Sequence, residues 1–139
     1  MPTIRVETNV KVADEKDFVL GFSKVRIWKH SNETATPSLT LDVKLASETL
    51  KTPEALFGVI LQQNQTFCFA GSLEPCFSCS LTGITVGNPG VNQAVVREFT
   101  KYLEKKLGVS NDRGYVFLQN PGANNVGFKG ETCDIVFAK

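Results

Sequence analysis

Imidazole is nearly missing from this chain, since His30 is the single histidine among 139 residues. A zinc centre built on two or more histidines is therefore excluded. The four cysteines, Cys68, Cys76, Cys79 and Cys133, offer one close pair where a cysteine-only site needs two. No metal and no cofactor are expected. A charge excess is missing too. Lys and Arg number 15 against 14 Asp and Glu, with no long run of one sign, so the chain lacks the electrostatic footprint for nucleic acid or an anionic membrane. No apolar run approaches the roughly 18 residues that a bilayer span needs. Met1-Pro2-Thr3-Ile4-Arg5-Val6 alternates apolar and polar, without the charged-then-apolar layout of a secretory signal. Sparse cysteine points to reduced thiols in an intracellular setting.

What is present is material for a core. Apolar residues make up 42% of the chain and ten are Phe, enough for one domain and too little for two. Residues 3–9 alternate as a strand. Asp14-Glu15-Lys16-Asp17 opens a helix whose acidic first turn suits the positive end of the dipole, with Phe18 and Phe22 on its buried side. Residues 45–50 read as the end of such a helix, Lys51-Thr52-Pro53 as a breaker, and 55–61 as a second strand. The second half repeats the plan. Residues 75–84 read as a strand and Gly87-Asn88-Pro89-Gly90 as the loop before a helix. Val91, Val95, Phe99, Tyr102, Leu103 and Leu107 share one face of that helix, Lys101, Lys105 and Lys106 crowd its negative end, and Gly108 stops it. Residues 115–118 follow as a strand, Pro121-Gly122-Ala123-Asn124-Asn125 turns the chain, and Ile135-Val136-Phe137 is expected to add an edge strand. The fold class is thus α+β: two tandem βαβ units forming a four-stranded mixed sheet with two helices on one face. The bare opposite face needs a cover, and a symmetric oligomer is the economical one.

Residues 24–42 do not fit this plan. They hold the single Trp and the single His, together with the turn-prone run His30-Ser31-Asn32-Glu33-Thr34-Ala35-Thr36-Pro37-Ser38. Joining Ser23 to Val43 restores one helix with Phe18, Phe22 and Leu45 at four-residue steps on one face. The 19 residues read as an insertion within the first helix, either a flexible surface loop or, since Lys24-Val25-Arg26 can be encoded by a splice-donor sequence, a retained in-frame intron. Asn32-Glu33-Thr34 matches a glycosylation acceptor, expected to be unused without an export signal.

Several blocks, in order and spacing, carry a family resemblance: Met1-Pro2 before a strand ending Thr8-Asn9-Val10; Lys51-Thr52-Pro53; Phe69-Ala70-Gly71-Ser72-Leu73-Glu74-Pro75-Cys76; Asn92 in the second helix; Asp112-Arg113 before Tyr115; and Asn125-Val126-Gly127-Phe128. With the insertion set aside, the chain resembles the macrophage migration inhibitory factor family nearly end to end. The resemblance implies a homotrimer in which each subunit supplies a four-stranded sheet and two helices. The three sheets line a central channel, and active sites lie between neighbouring subunits.

Proline behind the initiator Met is the residue with chemistry to offer. A small second residue favours removal of Met1, which leaves Pro2 as a secondary amine. An α-amino group titrates near ~7.7–8.0, and burial beside a lysine lowers that because both penalise the cation. A neutral amine at physiological pH is a general base. It can take a proton from the carbon beside a carbonyl and return it elsewhere, which is keto–enol tautomerisation. The resemblance puts Lys51 at the lysine that meets the substrate carboxylate, a task suited to a point charge. It puts Ile84 where the backbone contacts substrate. Tyr115, Val126 and Phe128 fall at pocket-wall positions, with Tyr115 supplied by the neighbouring subunit. The alternatives are a solvated helix-end lysine and ordinary core or interface packing. Ala55 stands where the family has a pocket tyrosine, Gly83 where a serine is common, Phe117 where an asparagine binds substrate, and Cys133 where an aromatic residue closes the rim. These departures are expected to weaken or alter activity on α-keto acids such as phenylpyruvate.

Cys76-Phe77-Ser78-Cys79 matches the family's CxxC, a possible redox pair. Along an extended strand, however, residues three apart lie about 10 Å from each other, beyond the ~7 Å bridging limit. Two functional readings stay open. One is a tautomerase acting on a small α-keto acid or enol. The other is a cytokine-like ligand, released by a signal-independent route from the cytoplasm, that binds a cell-surface receptor and keeps a vestigial pocket.

Overall fold

Alternation in the first strand decides which way the sheet faces. In β1 (Thr3–Thr8), Ile4, Val6 and Thr8 are buried while Arg5 is exposed. A computed structural model describes residues 2–23, 56–84 and 86–138. The 24–42 segment, the helix end at 45–50, Lys51 and Ala55 lie outside the described residues. Parallel pairing of β1 with β2 (Gly58–Gln62) sets Ile4 against Val59 and Val6 against Leu61. Antiparallel pairing with β3 (Phe77–Thr82) sets Ile4, Val6 and Thr8 against Leu81, Cys79 and Phe77. Parallel pairing of β3 with β4 (Gly114–Gln119) extends the same inward rows to Val116 and Leu118. The resulting order is β2-β1-β3-β4, the mixed sheet that two βαβ halves demand.

Two helices cover the inward rows. From α1 (Glu15–Ser23), Phe18 and Phe22 enter the same buried cluster as Val95, Phe99, Leu103 and Leu107 of α2 (Pro89–Leu107). The helices meet through aromatic edges: Phe22 lies 4.9 Å from Phe99 and 4.6 Å from Tyr102, centroid to centroid. Such tilted contacts favour ring edge against ring face. The Tyr102 hydroxyl donates to the Phe18 carbonyl at 2.7 Å, so the one polar atom in this contact is paired.

The ends of α2 follow from its flanking residues. The Asn88 side chain accepts from Gly90 N–H and Val91 N–H, Pro89 takes the first-turn position that needs no donor, and Gly108 closes the helix at φ 65° with its N–H on Glu104 O. Lys105 and Lys106 sit in the last turn, beside the negative end of the dipole.

One element differs from expectation. Residues 135–137 make no edge strand; Cys133–Val136 form a short helix, α3, with Phe137 N–H bonded to Cys133 O. The strands near the C-terminus are instead β5 (Gly127–Phe128) and β6 (Glu131–Thr132), joined by Lys129 and Gly130 at φ 55° and 83°. Two consecutive positive φ values give the turn whose twist suits a tight hairpin. Phe137 then stacks on Phe128 at 6.1 Å, a contact that an extended 135–137 segment gives up.

The other sheet face stays open, with Tyr115 64% and Phe117 49% exposed. Inside, the Phe77 ring lies across the backbone of its strand partner. A Cβ on Gly114 would come within 2.4 Å of Phe77 O and 2.7 Å of its ring. Gly114→Val is expected to cost at least about 2 kcal/mol through forced overpacking, read as a lower urea midpoint at unchanged slope; an unchanged midpoint contradicts this packing.

Candidate active site

Pro2 precedes the central strand, where a residue without an N–H costs the ladder no bond. It is buried. Its carbonyl accepts from Gly58 N–H at 3.0 Å, which ties it to β2. On the β3 side, a Cβ built on Gly83 would stand 3.2 Å from Pro2 Cβ, 3.3 Å from its Cα and 3.8 Å from its nitrogen. Gly83 therefore leaves the proline ring space that a serine would narrow.

The loop after β3 runs on from that contact. Gly83 N–H donates to Gln119 O, and the Asn120 side-chain amide donates to both Ile84 O, at 3.2 Å, and Val86 O, at 2.6 Å. Asn120 thus locks the loop after β3 to the loop after β4, beside the proline. The N–H of Ile84 has no partner among the described residues. Ile84 follows Gly83, the residue that abuts Pro2. The sequence reading gave Asn120 no role, although an Asn between a strand and Pro121-Gly122 is a turn signal.

Val126 and Phe128 follow that same loop. The Val126 carbonyl accepts from Cys133 N–H at 2.8 Å, and Lys129 Nζ lies 5.5 Å over the Phe128 ring. Cys133 is fully buried.

Tyr115 is elsewhere. It pairs with Ser78, which is level with Glu7, whereas Pro2 precedes Thr3, level with Thr82 and Gln119. Four strand residues separate the two levels, at least about 13 Å. A single protomer does not bring Tyr115 to its own Pro2. Tyr115 and Phe117 project from the open face with ring centroids 6.0 Å apart, and Phe69 packs on Tyr115 at 5.5 Å.

Phe69 is held by Arg113. The guanidinium donates to Phe69 O at 3.1 Å, Glu74 O at 3.0 Å and Pro75 O at 3.3 Å, and lies 5.3 Å over the Phe69 ring. Asn9 grips the same segment from the other side. Its amide donates to Phe67 O, Leu73 O and Glu74 O while its oxygen accepts from Cys76 N–H. Both residues stood in the resembling blocks without an assigned task, and bonds to backbone carbonyls leave no mark in composition.

Cys76 and Cys79 are free and buried. Burial pushes the Cys79 thiol from 9.0 to about 12. Burial also raises Cys76, the Arg113 charge pulls it back in part, and Cys68 adds to the rise. Neither thiol is poised as a thiolate at neutral pH. Among the described residues, no group of three or more His, Cys, Asp or Glu side chains is placed to hold a metal, and no helix is long and apolar enough to cross a membrane.

Two βαβ halves on one mixed sheet, with the helices on one face, make up the fold of the tautomerase class. Comparison with known proteins narrows this. Residues 32–134 match the family described as Macrophage migration inhibitory factor (MIF). A homolog from Trichinella spiralis is 26% identical over 133 residues, 95% of this chain and 99% of its own. The Meriones unguiculatus protein is 33% identical over 92 residues, covering 66% and 79%. In structure, the Trichinella spiralis factor superposes with a TM-score of 0.73 at 23% identity, covering 94% of this chain and 98% of that one. The chain belongs to the macrophage migration inhibitory factor family.

Cys79 makes stability depend on alkaline pH. Its proton is held more tightly in the folded chain than in the unfolded one, so its contribution is complete below pH 9 and is lost as pH rises toward 12. Tyr102, raised by burial and then by the Asp17 charge, and Cys76 act in the same direction. Urea unfolding between pH 8 and pH 12 is expected to show falling stability, with a shallower fall in Cys79→Ala; equal slopes in the two proteins contradict the assignment.

Proposed function

We propose that this chain is a keto–enol tautomerase whose general base is the Pro2 nitrogen once Met1 is trimmed. The observation that carries this reading is the burial of Pro2 against Gly83 at the head of β1, with the Ile84 backbone next in the chain. The base can remove a proton from the carbon next to a carbonyl, and an N–H donor nearby can hold the oxygen that gathers charge. Lys51 takes the substrate carboxylate and, as a nearby cation, lowers the affinity of Pro2 for its proton. Val126 and Phe128 wall the pocket from the same protomer.

Tyr115 closes the site from a neighbour in a homotrimer, which also covers the open sheet face. Phe117 brings an apolar ring where a polar side chain would bind a substituted substrate, so aromatic or aliphatic α-keto acids such as phenylpyruvate suit the site. The chain is a single domain, with residues 24–42 inserted in its first helix. It acts in the cytoplasm and, once released, outside cells.

Phe117 and Cys133 also favour a second reading. They remove polar and aromatic pocket groups, as expected for a receptor-binding ligand that no longer needs catalysis. A phenylpyruvate assay separates the two. Pro2→Gly is expected to lower kcat by about 10²-fold or more. Lys51→Ala is expected to raise KM roughly tenfold and to move the acid limb of kcat/KM to higher pH. Equal rates for wild type and Pro2→Gly overturn the enzymatic reading and leave the receptor ligand.

A further inference from the structure

The tightest knot outside the candidate active site is the segment 67–76, and it ends on two thiols. Ala70 and Gly71, at φ 51° and 75°, turn the chain so that Phe69 and Ser72 exchange backbone hydrogen bonds. Asn9 then bonds both Phe67 O and Cys76 N–H, which draws the two ends of the segment together. Cys76 Sγ lies 3.7 Å from Phe67 O. Cys68 follows Phe67 directly, so one peptide unit separates its Cα from the oxygen that the Cys76 sulfur touches. Such a Cα stands about 2.8 Å from the preceding carbonyl oxygen in a planar trans peptide.

The two cysteines differ in a way that suits sequential chemistry. Cys68 is exposed and open to a small oxidant, while Cys76 is fully buried. The Cys68 charge also reaches Cys76 and adds to the rise of its thiol. Cys79 offers Cys76 no comparable contact. It points into the core from β3, opposite Val6 and Val116, with an extended backbone between the two cysteines.

We propose that Cys68 and Cys76 form a modification site, a disulfide made by peroxide. The Cys68 thiolate attacks one peroxide oxygen, the O–O bond breaks, and Cys68 becomes a sulfenic acid as hydroxide leaves and takes up a proton. The Cys76 sulfur then attacks the Cys68 sulfur, the S–O bond breaks, and the departing hydroxide leaves as water with the Cys76 proton. The two thiols are oxidised, the peroxide is reduced, and the products are one S–S bond and two waters. The bridge closes a loop that hydrogen bonds already hold in place, so it asks little ordering of the chain.

The experiment treats the full-length protein with hydrogen peroxide, blocks remaining thiols in acid denaturant and digests it with pepsin. Phe69, Leu73 and Phe77 separate Cys68, Cys76 and Cys79 into different peptides. The expected result is a Cys68–Cys76 linked peptide, with free thiols falling from four to two. Cys68→Ser, an exposed change that leaves the core intact, is expected to keep all of its remaining thiols under the same treatment. A Cys76–Cys79 link, a Cys68–Cys68 link between copies, or over-oxidised Cys68 beside a free Cys76 overturns the proposal, as does equal thiol loss in Cys68→Ser.

Discussion

A proline held at the head of a central strand is the constraint on which the rest depends. Strands on both sides of β1 compete for its backbone groups, and an ordinary residue in that place would bring an N–H to satisfy. Pro2 brings none. Its carbonyl is bonded to Gly58 and its ring rests by Gly83, so the residue is fixed from both flanks while its nitrogen stays out of the ladder. The open order β2-β1-β3-β4 puts β1 inside the sheet and makes this burial possible.

Packing and polar clamps then divide the work. The helix-covered face is apolar and aromatic, with Phe18, Phe22, Phe77 and Phe99 filling the space between sheet and helices. The ends of the sheet are organised by side chains that bond to backbone: Asn120 at the proline end, Asn9 and Arg113 at the Tyr115 end. Each satisfies carbonyls that loops would otherwise leave to solvent, so groups that function needs in fixed positions rest on hydrogen bonds rather than on loop stiffness.

Much of this architecture was legible in the residues. Asn88-Pro89 and Gly108 mark the ends of α2 because capping chemistry is local, and the Val95-Phe99-Leu103 spacing marks its buried face because a helix has a fixed period. Local signals fail where the determinant is distant. Nothing near Gly114 announces that the Phe77 ring will lie over it, since that depends on strand register. Ile135-Val136-Phe137 has strand composition, yet the hairpin turn at Lys129-Gly130 and the stack on Phe128 draw it into a helical turn. Gly83 reads in sequence only as a missing serine, and its role as the floor under Pro2 emerges from the pairing of β1 with β3. The separation of Tyr115 from Pro2 likewise follows from register.

The measurement that bears most directly on the account is a titration of the Pro2 nitrogen by ¹⁵N NMR on the mature protein. Burial at the strand head penalises the cation and requires a midpoint below the ordinary α-amino range of about 7.7–8.0. A midpoint at or above that range, or a Pro2 nitrogen still acylated by Met1, contradicts the account.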